Sequence, residues 1–305
     1  MSLVLVSGPP GVGKSATALA AATAAAENFP CGQLFLDLRG SREAPLNAAE
    51  ALTELLAALG VRHSAAADGV DSCRSLYRSL LAERPTLIVL DDAADTDQVE
   101  PLVPGTGASL VIVTSRRRLA GLETDLTLEL GPLSMDDALA MITSAVGKDI
   151  VDQDPAAARS IVLSCGLLPS AIRIAAARIA ARPVHPTRVL AERLRDPSSL
   201  LDELEVDGLS LRAELAPSYR ALDHDGQRLF ASLGGFDPDH ISADAVARRL
   251  GMSTPVADRR LEALVSEGLV EPVLDAQGRP GYGMSTVLHA FARECQAEHD
   301  TVERN

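Results

Sequence analysis

The chain has 305 residues, 47% of them hydrophobic, and a formal net charge of −14. This length predicts two or three domains rather than one small core. No apolar run approaches the roughly 18 residues that cross a bilayer, so no membrane span is expected. The negative charge argues against a chain that holds a nucleic-acid backbone by itself.

The cysteines and the N-terminus bear on the cellular compartment. The four cysteines are widely spaced and form no CxxC pair: Cys31, Cys73, Cys165 and Cys295. The opening MSLVLVSGPPG has no basic region and no cleavage site, so we expect no signal peptide. Free thiols in a reducing, cytoplasmic compartment are the expectation.

The first predicted element is a strand followed by a phosphate-binding loop. Leu3–Val6 is a short apolar run, typical of a strand buried on both faces. It is followed by GPPGVGKS, a complete GxxxxGKS motif, and then by an Ala-rich helical stretch. Such a loop turns its N–H groups toward phosphates at a helix N-terminus. The residues expected around the phosphates are Gly8, Pro10, Gly11, Val12, Gly13, Lys14 and Ser15.

Two of these residues have individual expected roles. Lys14 is expected to reach the β- and γ-phosphates, and the Ser15 hydroxyl to bind Mg²⁺. The alternative is an ordinary Gly/Pro turn. Because Lys14 and Lys148 are the only lysines in the chain, a chance match to the motif has a probability on the order of one in a thousand.

A second acidic motif lies downstream, in PTLIVLDDAAD. The apolar run Leu87–Leu90 is followed by Asp91 and Asp92, at the strand end where parallel sheets bind ligands. We expect Asp91 to hold Mg²⁺ through water and Asp92 to orient or deprotonate an attacking water. Alone, such a run is often only a strand entering a turn, but its place after the loop favours the functional interpretation.

A further strand, SLVIVTSRRR, ends at Arg116. An arginine at the tip of a strand beside the loop strand is placed to contact a γ-phosphate, whereas Arg117 and Arg118 are expected to be solvated. With Gln33–Gly40 and Asp125–Leu130, five strands alternate with helices. The prediction is an α/β P-loop NTPase, three-layered (αβα) with a parallel five-stranded sheet.

The remainder of the chain is predicted to be mainly helical. Leu133–Asp196 has apolar residues at helical spacing, interrupted by prolines. Farther on, SYRALDHDGQRLFASLGGF is an amphipathic helical stretch, and a helix after Ser242 is followed by a second with Thr254 as its N-cap. Two short strands around a Gly/Pro tip then complete a predicted winged helix. The predicted domains are 1–132, 133–206 and 207–305.

Charge bears on whether this winged helix reads DNA. Residues 207–305 contain ten arginines and no lysine against sixteen acidic residues, a net charge of −6. The second helix carries Arg259 and Arg260 but also Asp258, Glu262 and Glu267. A face that enters a DNA groove is expected to be basic, so a packing role is favoured over direct DNA binding.

Seven segments, in order, resemble the nucleotide-binding oligomerisation domain of the STAND ATPases, also called NB-ARC. They are similar in particular to the version inside large Streptomyces antibiotic regulatory protein (SARP)-type transcriptional activators. The segments are SGPPGVGKSA, QLFLDLRG, LIVLDDAAD, VIVTSRRRLAGL, CGLLPSAIRIAAARIAARP, SYRALDHDGQRLFASLGG and YGMSTVLHAFARE. The P-loop and Asp-Asp strand are shared with many NTPases, whereas the ordered set is specific.

The resemblance implies a nucleotide switch. It implies that Gly11–Ala16 hold the phosphates of ATP or ADP, that Ser15 and Asp91 hold Mg²⁺, and that Arg116 senses the nucleotide. Pro169 matches the family's GxP turn, which contacts the nucleotide from the small helical domain. ADP is expected to favour a closed state under the winged helix, ATP an open state that self-oligomerises, and slow ATP hydrolysis to reset the switch.

Two departures from the family pattern are visible. In the family, a strand and helix precede the phosphate loop, so this chain is expected to be a piece of a larger protein, with DNA bound through a preceding SARP-type domain. The family also has a Met-His-Asp-like triplet where this chain has Met284, Ser285 and Thr286. Ser285 can donate one hydrogen bond but carries no charge, so the closed state is expected to depend less on ADP.

Two alternative functions remain open at this stage. One is an NB-ARC module of another signalling protein, such as a defence scaffold, which the flanking domains would reveal. The other is a P-loop enzyme such as a small-molecule kinase, for which no acceptor pocket is identifiable in the sequence. Turnover well below the median enzyme rate of about 10 s⁻¹ separates the switch from the enzyme.

Overall fold

Five parallel strands form the central sheet of the computed structural model, which describes residues 1–61, 69–181 and 186–302. The strand order is β2-β3-β4-β1-β5, and every neighbouring pair is parallel. The strands are β1 (Ser2–Ser7), β2 (Gln33–Asp37), β3 (Leu87–Ala93), β4 (Leu110–Ser115) and β5 (Leu126–Glu129). All five were predicted from the sequence, and the parallel sheet is confirmed.

Helices cover both faces of this sheet. They are α1 (Lys14–Ala25), α2 (Ala48–Ala58), α3 (Val70–Ala82) and the short α4 (Thr96–Val99), with 3₁₀ turns at Ala26–Asn28 and Glu100–Leu102. Successive side chains of β3 point to opposite faces: Ile88 and Leu90 join the core beneath α2 and α3. Leu87 and Val89 join the smaller core on the α1 face.

By contacts, the chain divides into two compact units. The first comprises Met1–Gly8 and Gly13–Leu130, and the second comprises Pro9–Val12 together with the chain from Gly131 onward. The prediction of separate domains at 133–206 and 207–305 stays a prediction. Residues 182–185, within the first predicted helical stretch, and the C-terminal residues 303–305 lie outside the described residues.

The second unit is mainly helical, as the sequence predicted. Its elements are α5 (Met135–Val146), α6 (Lys148–Gln153), α7 (Pro155–Ser164), α8 (Pro169–Ala180), α9 (Pro186–Arg193), α10 (Leu200–Glu203), β6 (Glu205–Val206), β7 (Leu209–Ser210), α11 (Leu211–Arg220), α12 (His224–Leu233), α13 (Ala243–Leu250), α14 (Thr254–Ser266), β8 (Glu271–Leu274), β9 (Pro280–Gly283) and α15 (Thr286–Val302). One cluster of buried side chains extends from Ala138 to Cys295.

The helix boundaries are defined more finely than the sequence predicted. The amphipathic helical stretch SYRALDHDGQRLFASLGGF covers the end of α11 and the whole of α12, which begins after Asp223, whose side chain accepts from Gly226 N. Thr254 is not an N-cap: it is the first residue of α14, and Ser253 occupies the cap position. The antiparallel β6–β7 pair was not anticipated.

The predicted two strands around a Gly/Pro tip are present as an antiparallel hairpin, β8–β9. Ile241, before α13, forms a bridge with Tyr282 of the hairpin. No disulfide joins the four cysteines, all of which lie in the described ranges; Cys31 is exposed and the other three are buried. Across the described ranges, every helix is too short or too polar to cross a membrane.

Candidate nucleotide-binding site

The loop between β1 and α1 has the backbone geometry of a phosphate cradle. Gly11 (φ 77°) and Gly13 (φ 93°) adopt left-handed conformations that residues with a Cβ rarely reach. Gly13, the N-cap of α1, has no side chain, and the first turn of that helix contains no acidic residue. A glycine-capped helix N-terminus of this kind presents backbone amides and a positive dipole end that favour an anion.

The Lys14 side chain folds back toward the start of the loop. Its Nζ donates to the Gly8 carbonyl oxygen at 2.9 Å, which places the ammonium group beside the first residue of the GxxxxGKS motif. Ser15 and Ala16 are exposed on the first turn of α1, whereas Pro10 and Val12 are buried. The arrangement puts one positive charge and a hydroxyl group on the first turn of α1.

The two aspartates lie at the C-terminal end of β3 and share one threonine. The Thr114 hydroxyl, at the equivalent end of β4, donates to Asp91 Oδ1 at 2.6 Å and accepts from Asp92 N at 2.9 Å. The Thr114 side chain is completely buried. A single hydroxyl group therefore holds both aspartates in place through two hydrogen bonds.

Asp92 has an unusual backbone conformation and two side-chain neighbours. Its φ is 55°, in the left-handed region, which is uncommon for a residue other than glycine. Its Oδ2 accepts from both the backbone N and the hydroxyl of Ser41, at 2.9 and 2.7 Å. Its Oδ1 lies 3.9 Å from Arg116 Nε.

The parallel register gathers these groups at one edge of the sheet. Ser7, the last residue of β1, pairs with Ser115, the residue before Arg116. The C-terminal ends of parallel strands meet at the same edge, so the end of β1, the aspartates of β3 and Arg116 after β4 lie at one edge of the sheet. Arg117 and Arg118 are exposed, and Arg118 forms an ion pair with Glu129 at 2.7 Å.

Sequence patterns missed two members of this site. Thr114 lies within the predicted strand SLVIVTSRRR, and Ser41 lies just beyond the QLFLDLRG segment. A hydroxyl residue is common at the end of a strand or in a loop, so neither position carried a signal by itself. Only the pairing of β2 and β4 with β3 reveals which side chains adjoin the aspartates.

The two remaining predicted contacts, Pro169 and Ser285, lie in the second unit. Pro169 is the first residue of α8, and Ser170 N donates to the Gly11 carbonyl oxygen at 3.1 Å, within the loop segment grouped with this unit. Ser285 Oγ accepts from Leu288 N at 3.4 Å, at the start of α15. A Cβ added to Gly166 would lie 3.3 Å from Ser285 Cβ.

The two C-terminal histidines, His289 and His299, lie on α15. His299 Nε2 lies 2.9 Å from the Tyr219 hydroxyl, and Tyr219 packs against Phe230 and Phe291. The backbone N of His289 donates to the carbonyl oxygen of Ser285, the residue that precedes α15.

A parallel five-stranded sheet between helical layers, with GxxxxGKS joining its first strand to its first helix, defines the class of the chain: it has the α/β fold of a P-loop NTPase. Motif, strand order and acidic strand end agree on this class. The class alone does not define a reaction, since the fold serves many chemistries.

The relatives of the chain are regulatory proteins. It is 39% identical over 300 residues to the regulatory protein AfsR of Streptomyces griseus, a match covering 98% of this chain and 30% of that protein. It is 37% identical over 295 residues to AfsR of Streptomyces coelicolor, covering 97% and 29%. The chain thus spans about 30% of the length of these relatives. No protein-family model matches it.

Among solved structures, the chain is similar to the ORC2 protein of Aeropyrum pernix in its ADPNP and ADP complexes. The sequence identity is 15%, the match covers 98% of this chain and 89% of that one, and the TM-score is 0.49.

Proposed function

We propose that this chain is the ATP- and ADP-binding regulatory module of a larger SARP-type transcriptional activator, of the NB-ARC type, with slow Mg²⁺-dependent ATP hydrolysis. One observation carries the proposal: a glycine-turned loop at the N-terminus of α1 shares a sheet edge with Asp91, Asp92 and Arg116. The similarity to AfsR over nearly the whole chain supports the regulatory role.

Each residue of the site has a chemical role in this proposal. The amides of Gly11–Ala16 bind phosphate oxygens, and Lys14 neutralises their charge. Ser15 and Asp91 supply the oxygen ligands that Mg²⁺ prefers, and the ion when bound draws charge from the β- and γ-phosphates. Asp92 orients or deprotonates water, and the Arg116 guanidinium senses the γ-phosphate.

The second unit is proposed to read the nucleotide state. Pro169, at the start of α8, contacts the nucleotide, and α13, α14 and the β8–β9 hairpin form a winged helix that closes over ADP. Ser285 contributes one neutral hydrogen bond there. ATP favours the open state, which self-oligomerises, and DNA is bound by another part of the larger protein.

Nucleotide retention tests the proposal directly. The purified chain is denatured and the released nucleotide is identified, and ATP and ADP affinities are then measured with Mg²⁺ present. Lys14→Ala is expected to weaken binding at least tenfold, because one ammonium–phosphate contact is worth about 1.5–3 kcal/mol.

The chain offers a matched control, since it has only one other lysine. Lys148 is exposed at the start of α6, so Lys148→Ala removes the same charge without touching the loop and should bind as wild type does. Equal affinities in wild type and Lys14→Ala would contradict the phosphate-binding role. Turnover near or above about 10 s⁻¹ would contradict the regulatory one.

A further inference from the structure

The loop after β2 binds the end of β3 through its backbone. Leu38 N donates to Asp91 O at 2.8 Å, and Gly40 N donates to Asp92 O at 2.6 Å. A Cβ on Gly40 would lie 2.3 Å from Ala94 N and 2.5 Å from Asp92 O, closer than real Cβ atoms approach. Glycine at position 40 therefore permits a contact that holds the next residue, Ser41, against Asp92.

Ser41 places both of its donors on one oxygen of the Asp92 carboxylate. The backbone N and Oγ reach Oδ2 at 2.9 and 2.7 Å, which uses the two acceptor directions of that oxygen. The other oxygen, Oδ1, faces Arg116 at 3.9 Å. The two oxygens of the Asp92 carboxylate thus have different partners: Oδ2 accepts hydrogen bonds from the loop after β2, and Oδ1 is directed toward Arg116 after β4.

The backbone of Asp92 is held from both sides as well. A residue other than glycine stays at φ 55° only where its surroundings over-determine it. Thr114 Oγ1 accepts from Asp92 N, and Gly40 N donates to Asp92 O. With the backbone held in this way, the remaining freedom is rotation of the side chain, and the Ser41 hydroxyl opposes that rotation.

We propose that Ser41 is a positioning residue for ATP hydrolysis: by holding Asp92 Oδ2, it directs Oδ1 to accept a hydrogen bond or a proton from the attacking water. This inference rests on the proposed function, and it gives the β2 loop a part in setting the rate of the switch. A general base contributes about 10²- to 10⁴-fold to rate, and small misplacements forfeit much of that.

Steady-state hydrolysis by the full chain tests the role. Because Ser41→Ala keeps the backbone donor and loses the hydroxyl, kcat is expected to fall about tenfold while KM changes less than twofold. Ser41→Thr restores the hydroxyl and is expected to recover kcat. In an Asp92→Asn background, Ser41→Ala is expected to change kcat no further, since Ser41 acts through that carboxylate. An unchanged kcat in Ser41→Ala, or the same loss in both backgrounds, overturns the proposal.

Thermal unfolding of wild type, Ser41→Ala, Asp92→Asn and the double variant distinguishes the presence of the Ser41–Asp92 contact from its role in hydrolysis. Ser41→Ala and Asp92→Asn are expected to shift the Tm non-additively, by a few °C, whether or not nucleotide is bound. Additive shifts overturn the contact. Non-additive shifts with unchanged kcat make Ser41 structural only and overturn its positioning role. Failure of the proposed function is seen separately, as a wild-type chain that neither binds nor hydrolyses ATP.

Discussion

At the scale of single residues, Thr114 is the most constrained side chain of the site. Its hydroxyl serves Asp91 as a donor and Asp92 as an acceptor, and it is fully buried between β3 and β4. A residue of the same shape without the hydroxyl would leave the Asp92 amide and one oxygen of Asp91 without these partners. An unsatisfied buried donor costs about 1–3 kcal/mol.

We therefore predict that Thr114→Val lowers the free energy of unfolding by about 1–3 kcal/mol. Urea denaturation followed by circular dichroism measures the change. Thr114→Ser is the matched control, because it keeps the hydroxyl and is expected to lose less than half as much. If the valine and serine variants are equally stable, the two hydrogen bonds contribute nothing.

The site residues differ in how far sequence could predict them. Lys14 and Ser15 belong to a contiguous motif whose spacing alone implies their neighbours. Asp91 could be predicted because its strand end had to meet the loop at one edge of a parallel sheet. Ser41 and Thr114 could not be predicted, because their partners are 51 and 23 residues away and depend on strand order.

At the scale of elements, the β8–β9 hairpin is joined to α14 by one hydroxyl group. The Tyr282 hydroxyl lies 2.8 Å from Asp258 Oδ1 and 2.9 Å from Glu262 Oε1, on successive turns of α14. Burial, and then its hydrogen bonds to Asp258 and Glu262, raise the pKa of Tyr282 above the usual value of 10.0. The neutral phenol is thus the form that the folded chain stabilises.

This shift has a definite sign in the dependence of stability on pH. Above about pH 10 the unfolded tyrosine loses its proton while the folded one keeps it, so its stabilising contribution declines as pH rises. Tyr282→Phe has no such proton. We predict that the free energy of unfolding falls less steeply between about pH 9 and 11 in Tyr282→Phe than in wild type. Parallel curves for the two proteins would show that the phenol does not contribute.

Element types were more predictable than element ends. The five strands of the sheet followed from apolar runs of the right length, because burial on both faces requires them. α12 begins after Asp223, whose side chain caps it, and α14 begins at Thr254, one residue earlier than an N-cap at Thr254 predicts. Several polar residues near each boundary can cap a helix, so the pattern alone does not select one.

At the scale of the whole molecule, the buried cysteines are divided between the cores of the two compact units. Cys73 belongs to the core beneath α2 and α3 in the first unit. Cys165 and Cys295 both belong to the core cluster of the second unit. Burial raises the pKa of Cys165 and of Cys295 to about 12, so their reactive thiolates are scarce in the folded chain. Cys31 alone is exposed.

The burial of these thiols predicts the order in which they are labelled during unfolding. In the native chain, a thiol-specific reagent at pH 8 should modify Cys31 at once and the other three cysteines slowly. Along a urea gradient, Cys165 and Cys295 should become reactive at the same concentration, because one continuous core protects both. Mass spectrometry of the labelled peptides reads each site separately.

The same experiment discriminates between two views of the second half of the chain. Cys165 lies in the predicted domain 133–206 and Cys295 in the predicted domain 207–305. Different urea midpoints for the two cysteines would therefore mean that these domains unfold independently, and would contradict the shared core.

ATP at a hundredfold excess over its Kd should raise the stability reported by Cys73 by about 2.7 kcal/mol, because a ligand that binds only the folded state stabilises it by mass action. Lys14→Ala should abolish that protection at the same ATP concentration while Lys148→Ala keeps it, which would link Lys14 to the stability of the first unit.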